Sequence, residues 1–338
     1  MHIVSESEMY FINGDEARQI KPTTFSKLNL KESDIEEMLR KNIEILHDEE
    51  ESLLVVGQQV LNQSGGRSDL TAVDNNGNLV LIEIKRDPKD ILSRREAFEF
   101  QAIRYAASYA TIKSPDELVE KVYAPFIEKH ERQEGRSTLT AYEKASRRLM
   151  EFLELNGATS TFNVKQRIIL VASDFDEQTL SAVAWLNSNH VDISCLKLIP
   201  FQWGDMESTI VFKVEKILPV PDYSDFYVDL QDRGRSQPRR KASIKRRSLP
   251  RIADMLDWGV IEPGDIIVAK NKGDEADLLA NGNVIVDGVE LSMQAWLKEI
   301  YDWSSVQTYV FAVDKKSGKT LHEIREAYME KQAEVNQS

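Results

Sequence analysis

The sequence predicts a two-domain α/β protein: a mixed sheet flanked by helices, followed by a small α+β domain. Three observations predict it. Strand-like and helix-like stretches alternate between residues 53 and 202. Residues 216–250 interrupt that alternation with a run rich in Pro, Ser and Arg. The 338 residues suit two units, at ~100–200 residues per domain.

Residues 9–20 place Asn13-Gly14 between two apolar-containing runs, a hairpin signal. Over 29–46, Ile35, Met38, Leu39, Ile43 and Leu46 fall on one helical stripe. Residues 53–60 read as a strand, and 68–74 and 78–85 as two more around a Gly-containing turn. A helix over 93–111 follows, then a charged, helix-prone region over 115–157 that softens at 131–139. A buried-type strand at 167–173, a helix at 177–190 and a strand at 193–202 close the first domain. In the second domain the pattern predicts a helix near 251–258 and strands near 265–270 and 283–286. A helix near 292–301, a strand at 307–313 and a helix from about 320 complete it. The expected divisions are a hairpin extension at 1–28, a main domain at 29–215 with a helical insertion at about 115–160, a linker at 216–250, and a second domain at 251–338. No repeat of solenoid period is present.

The chain is 41% hydrophobic and 29% charged, an ordinary globular mixture. No stretch approaches the ~18–20 apolar residues of a membrane span, and the first residues lack the pattern of a secretory signal. A cytoplasmic location is expected. Cys195 is the single cysteine, so an intrachain disulfide and a Cys-based zinc site are both excluded. The net charge of −13 runs against a nucleic-acid binder, but the average conceals a local feature. Residues 231–251 carry nine basic groups and one acid, Asp232, leaving the rest of the chain at −21. Such a stripe can touch a polyanion while the acidic body stays in solution. The plainer reading is a solvated, self-repelling linker.

The chemistry concentrates at 68–85. In the second strand Leu79, Leu81, Glu83 and Lys85 face one way, and Val80, Ile82 and Ile84 form a core face. A three-residue loop Asn75-Asn76-Gly77 pairs Asp74 with Asn78 and so sets Asp69 opposite Glu83. A two-residue loop would set Asp69 opposite Ile84 instead. In the first register two carboxylates project side by side, ~5 Å apart at the backbone. They repel unless a cation lies between them, and hard oxygen ligands suit Mg²⁺ or Mn²⁺. Lys85 beside them could steady a phosphate or help deprotonate water, as metal-assisted phosphodiester hydrolysis requires. The competing reading is a cross-strand pair in which Lys85 neutralises Glu83 on a solvated face. Gln101 and Tyr105, four apart, share one helix face. Glu32 lies on the stripe of Ile35 and Leu39, where a carboxylate needs a partner. It could equally be the third residue of a capping box opened by Asn29.

The order Glu32, Asp69, Glu83-Ile84-Lys85 and Gln101-x-x-x-Tyr105 resembles the PD-(D/E)XK nuclease superfamily with the RecB-type QxxxY extension. Within it, the stretches ESDIEEMLRKN, GGRSDLTAVDNNGNLVLIEIKRD and QAIRY are most similar to NucS/EndoMS mismatch endonucleases. RIILVASDF and CLKLIPF continue the similarity more weakly, so it covers roughly 30–203. The fourteen-residue step from Asp69 to Glu83 matches that family's spacing. The resemblance implies a restriction-endonuclease-like fold and an Mg²⁺- or Mn²⁺-dependent endodeoxyribonuclease of restriction, antiviral-defence or repair type. It implies Asp69, Glu83 and Glu32 as metal ligands, Lys85 acting on the attacking water, and Gln101 and Tyr105 lining the site. Two departures stand out: the Glu83-to-Gln101 segment is longer than in the close relatives, and 115–157 looks inserted. Mismatch specificity is therefore not carried over.

Residues 256–296, with the aromatic run VQTYVFAV after them, resemble the RAMA-type domain found beside restriction enzymes and adenine methylases. That resemblance implies a domain that targets DNA or senses its modification. Arg67, Arg86, Arg239, Arg240, Lys241, Arg246 and Arg247 are the expected nucleic-acid contacts. DNA is the expected partner and a membrane is not; a homodimer stays open. A non-catalytic DNA-binding or regulatory protein on the same fold is the alternative. SGKT at 317–320 is not a phosphate loop, because Val313 stands where that motif needs Gly. His2, His47, His130, His190 and His322 show no ligand spacing, and Cys195 reads as a core thiol. Trp185, Trp258, Trp296 and Trp303 read as packing residues.

Overall fold

In the computed structural model, which describes residues 9–62, 66–92, 96–131, 139–202, 210–220 and 249–335, the chain divides into two compact units. One comprises Met1–Pro219 with the short stretch Asp302–Ser305, and the other Val220–Tyr301 with Val306–Ser338.

The first unit opens with the hairpin of β1 (Met9–Asn13) and β2 (Glu16–Ile20), which pair from Met9↔Ile20 to Asn13↔Glu16. The stripe expected as one helix over 29–46 forms α1 (Glu32–Lys41) and then a 3-10 turn, Ile43–Leu46. The break is at Asn42, whose backbone leaves the helical region and whose side-chain amide donates to the Met38 carbonyl at 2.9 Å. The strands β3 (Leu53–Leu61), β4 (Arg67–Asp74) and β5 (Leu79–Lys85) follow. The helix expected over 93–111 is preceded by α2 (Pro88–Leu92) and confined to α3 (Phe98–Tyr109). The charged region holds α4 (Pro115–Leu118), a π-turn at Val119–Tyr123, α5 (Ala124–His130) and α6 (Ala141–Leu155). The unit continues through β6 (Gln166–Ala172), α7 (Glu177–Ser188), β7 (Ile193–Gln202) and β8 (Ile210–Leu218). Asp176 starts α7 by accepting from the amides of Gln178 and Thr179, both at 2.9 Å.

These strands form one mixed six-stranded sheet in the order β3-β4-β5-β6-β7-β8. The central pairs β5–β6 and β6–β7 are parallel and the others antiparallel. Val80, Ile82 and Ile84 join Ile35, Leu39 and Ile43 of the α1 region in the main apolar cluster. α3 packs on β4, β5 and β6 from the other side. Every residue of β5 is buried, so the face carrying Glu83 and Lys85 is not the solvated sheet face that the competing reading required.

β8 corrects the sequence reading, which ended the first domain at β7 and placed 216–250 in a linker. Lys213, Glu215 and Lys216 give it the half-exposed pattern of an edge strand, and Pro219 follows it directly. It pairs with β7 from Cys195↔Leu218 to Gln202↔Ile210. A chain cut near residue 205 is therefore expected to aggregate or to melt well below one ending at Pro219, because the cut bares the buried β7. Size-exclusion chromatography and thermal circular dichroism of the two truncated proteins check this; equal melting of both would show that β8 adds nothing.

The second unit contains α8 (Ile252–Asp257), β9 (Ile266–Ala269), β10 (Glu275–Leu278), β11 (Val284–Val286) and β12 (Val289–Leu291). It ends with α9 (Met293–Tyr301), α10 (Thr308–Phe311), β13 (Ala312–Asp314) and α11 (Leu321–Val335). Its antiparallel sheet runs β12-β11-β10-β9-β13. Asp287 and Gly288 both take positive φ, 49° and 80°, in the two-residue turn that joins β11 to β12. The strand expected at 307–313 is instead a helical turn, α10, followed by the short β13. A short apolar run with aromatic residues carries no period that separates the two states. No helix among the described residues is long and apolar enough to cross a membrane.

Candidate active site

The β4–β5 hairpin sets the site. Its pairs run from Val73↔Leu79 to Leu70↔Ile82, and the Asp74 amide donates to the Asn78 carbonyl at 3.0 Å. This is the register of the three-residue loop, and continued by one residue it sets Asp69 opposite Glu83. Gly77, at φ 81°, takes the left-handed position of that loop, where a Cβ would meet the Ala158 carbonyl oxygen at 2.9 Å. The two-residue alternative is excluded.

Both carboxylates are buried, Asp69 at 6% exposure and Glu83 at 0%. Asp69 Oδ2 accepts from the Ile84 amide at 2.7 Å, and Glu83 Oε1 lies 3.4 Å from the Asp69 amide. Lys85 Nζ, equally buried, stands 3.0 Å from Glu32 Oε1 and 3.7 Å from Asp69 Oδ2. It also donates to the Ile84 carbonyl and lies 5.4 Å from the centre of the Phe98 ring. The Lys85 ammonium thus meets Glu32 and Asp69 inside the protein, whereas the competing reading placed it on a solvated face. Glu32 is not the third residue of a cap either: it is the first residue of α1, and the Lys31 amide donates to Asp34 at 2.8 Å. From α3, Gln101 Nε2 reaches Glu83 Oε2 and the Tyr105 hydroxyl, each at 3.3 Å. Gly66 lets Tyr105 sit close, since a Cβ there would lie 2.6 Å from its hydroxyl.

Glu32, Asp69, Glu83, Lys85, Gln101 and Tyr105 are therefore brought together at the end of one hairpin, between α1 and α3. Two further residues belong to the cluster and were missed in the sequence. Glu36, one turn beyond Glu32, is 3% exposed. Gln59 of β3 donates from Nε2 to Glu36 Oε2 at 2.7 Å and to Asp69 Oδ1 at 3.1 Å. The four-residue step from Glu32 could have pointed to Glu36. Gln59 left no signal, because its place depends on a bulge.

The carboxylate oxygens of Asp69 and Glu83 are of the kind that a hard divalent cation takes. Among the described residues no group of three or more His, Cys, Asp or Glu side chains is placed to hold a metal ion. Burial pushes the carboxyls of Asp69 and Glu36 up; Lys85 opposes this at Asp69, and the Gln59 hydrogen bond opposes it at Glu36. A carboxyl raised by folding holds its proton more tightly in the native state than in the unfolded chain. The stability it contributes is thus greatest below the ordinary carboxylate range and declines as pH rises through the raised values. A cation bound there in place of the proton would reverse the loss. At one fixed concentration Mn²⁺ is expected to raise the melting temperature more at pH 8 than at pH 5, because the proton competes for the same carboxylates and weakens the affinity at low pH. Where the concentration is a hundredfold over Kd the gain is about 2.7 kcal/mol. Asp69→Asn should abolish that rise. Thermal denaturation with and without Mn²⁺ checks it, and a rise that survives the substitution places the cation elsewhere.

The other sequence expectations fall as follows. Arg67 is exposed at the start of β4, whereas Arg86 is held by Asp90 at 3.2 Å and Asp87 at 3.5 Å. Arg239, Arg240, Lys241, Arg246 and Arg247 lie outside the described residues. Trp296 and Trp303 are buried, and Trp258 stacks on Tyr328 with 4.4 Å between ring centres. Trp185 corrects its reading as a packing residue: it is 66% exposed on the outer side of α7. Burial pushes the Cys195 thiol up to about 12, which leaves it an inert core residue. At 314–317 Asp314 accepts from the Ser317 amide at 2.8 Å, so the turn before SGKT is closed by its own carboxylate. No family model matches the chain, and no curated protein matches it.

Proposed function

We propose that the chain is a metal-dependent endonuclease that hydrolyses DNA phosphodiester bonds, with the second unit directing it to DNA or to modified DNA. The observation that carries this reading is the buried Asp69–Glu83 pair on adjacent strands with the Lys85 amine 3.7 Å from Asp69. Bound Mg²⁺ or Mn²⁺ would supply a Lewis acid for a phosphate oxygen and a water of lowered pKa. Asp69 and Glu83 would hold the cation. Glu32 orients the Lys85 ammonium, which would offset phosphate charge and position the attacking water. Gln101 fixes the Glu83 carboxylate from α3, and Tyr105 fixes Gln101. A restriction-endonuclease-like fold belongs to the same proposal, and the mixed sheet with its parallel centre supports it.

One observation favours a second reading, a non-catalytic DNA-binding protein on this fold: the Lys85 amine is already engaged by Glu32 at 3.0 Å. Incubation with plasmid, single-stranded, branched and methylated DNA, with Mg²⁺, Mn²⁺ or EDTA, separates the two. Cation-dependent cleavage of at least one form is expected. Retarded but intact DNA throughout would favour the second reading.

A further inference from the structure

Gln59 links two of the buried acids, Glu36 and Asp69, through its side-chain amide. β3 and β4 pair in one register up to Val55↔Ala72, and a bulge then shifts them to Gly57↔Thr71, Gln58↔Leu70 and Val60↔Ser68. The shift sets Gln59 opposite Asp69; without it Gln58 would hold that place. Across three neighbouring strands the row is therefore Gln59, Asp69, Glu83. Gln59 takes φ 54°, a left-handed conformation that a non-glycine residue adopts at a cost. Its side-chain nitrogen bridges Glu36 Oε2 at 2.7 Å and Asp69 Oδ1 at 3.1 Å. Those acceptors use both amide hydrogens and fix which end of the side chain faces the carboxylates. The other Glu36 oxygen, Oε1, is buried, and Gln58 and Lys129 lie near enough to Glu36 to favour its charged form.

We infer that Gln59 is a positioning residue of this site and restricts it to one divalent cation. This rests on the proposed metal-dependent chemistry. Acids occur on both sides of Asp69, with Glu83 on one and Glu36 on the other. A hard cation can join Asp69 to Glu83, whose carboxylates project from adjacent strands on one face. Between Asp69 and Glu36 the neutral NH₂ group already supplies the bridge, at distances a metal ion would need to displace. The amide also holds Asp69 Oδ1, while the Ile84 amide holds Oδ2, so the carboxylate cannot rotate toward Glu36. A carboxylate in place of the amide would remove the donor and give Glu36, residue 59 and Asp69 three acids around one space.

The test is Mn²⁺ stoichiometry on the full chain, by titration calorimetry and electron paramagnetic resonance, counting only ions that the Asp69→Asn protein fails to bind. One ion per chain is expected for the wild type and two for Gln59→Glu, whose Mn²⁺ pair should show spin coupling absent from the wild type. Two ions in the wild type would overturn the inference while leaving the metal-dependent reading intact. No Asp69-dependent ion in the wild type would overturn that reading and the inference with it. Gln59→Leu, which removes the bridge without adding an acid, should still bind one ion, with weaker affinity; unchanged affinity would contradict the positioning role even if Gln59→Glu fails to fold.

Discussion

Glu83→Gln is expected to lower Mg²⁺-dependent DNA cleavage by at least ~100-fold, the scale on which removal of one catalytic electrostatic group acts. The substitution keeps the shape of a side chain that is 0% exposed, removes its charge and replaces one of its two acceptor oxygens with an NH₂ group. The fold should survive. The side chain retains an oxygen that can accept from Gln101, and the new amide relieves repulsion against Asp69 rather than adding to it. Lys85 is not left alone, because Glu32 and Asp69 stay beside it. The cation-free variant should therefore stay folded while its cleavage disappears. Nicking rates and thermal denaturation, measured on the same preparation, check both halves. Wild-type cleavage in a folded variant would remove Glu83 from the chemistry.

Neutralising Arg239, Arg240, Lys241, Arg246 and Arg247 together should produce the second large effect, on binding alone. Each phosphate charge no longer neutralised flattens the log–log salt dependence of affinity by about 0.9, so five of them change the slope by roughly 4.5. Turnover of DNA already bound should change little, since these residues lie far in sequence from Glu32 to Tyr105. Affinity measured across a salt series checks the slope. A slope equal to the wild type would make the basic stretch a linker and shift DNA binding to exposed groups such as Arg67.

The hairpin register was legible only as a choice between a three-residue and a two-residue loop, and one residue of slip would have turned Asp69 toward the core. From that register the meeting of Asp69 with Glu83 followed. The hydrophobic stripe of α1 was equally legible, but it did not show where the helix would end, and Asn42 ends it early. It also did not distinguish Glu32 from Glu36, which share a face, though only Glu36 is buried. Gln59 was hidden because a bulge between Val55 and Gly57 decides its facing, and strand periodicity assumes no bulge. β8 was hidden by its own chemistry: an edge strand carrying Lys213, Glu215 and Lys216 beside a proline reads as a connection. In the second unit the glycine turns marked the hairpins, while β10 and β12, of 4 and 3 residues, were too short to leave a period.

The central claim is that the Asp69–Glu83–Lys85 cluster hydrolyses DNA rather than only contacting it. The most direct measurement is single-turnover reaction of supercoiled plasmid with excess full-length protein, mixed without divalent cation and started by Mg²⁺. The expected result is nicked or linear DNA that appears after Mg²⁺ addition, is stopped by EDTA, and is absent with Glu83→Gln at equal binding. Plasmid that remains supercoiled and bound with the wild-type protein, across Mg²⁺ and Mn²⁺, would contradict the claim.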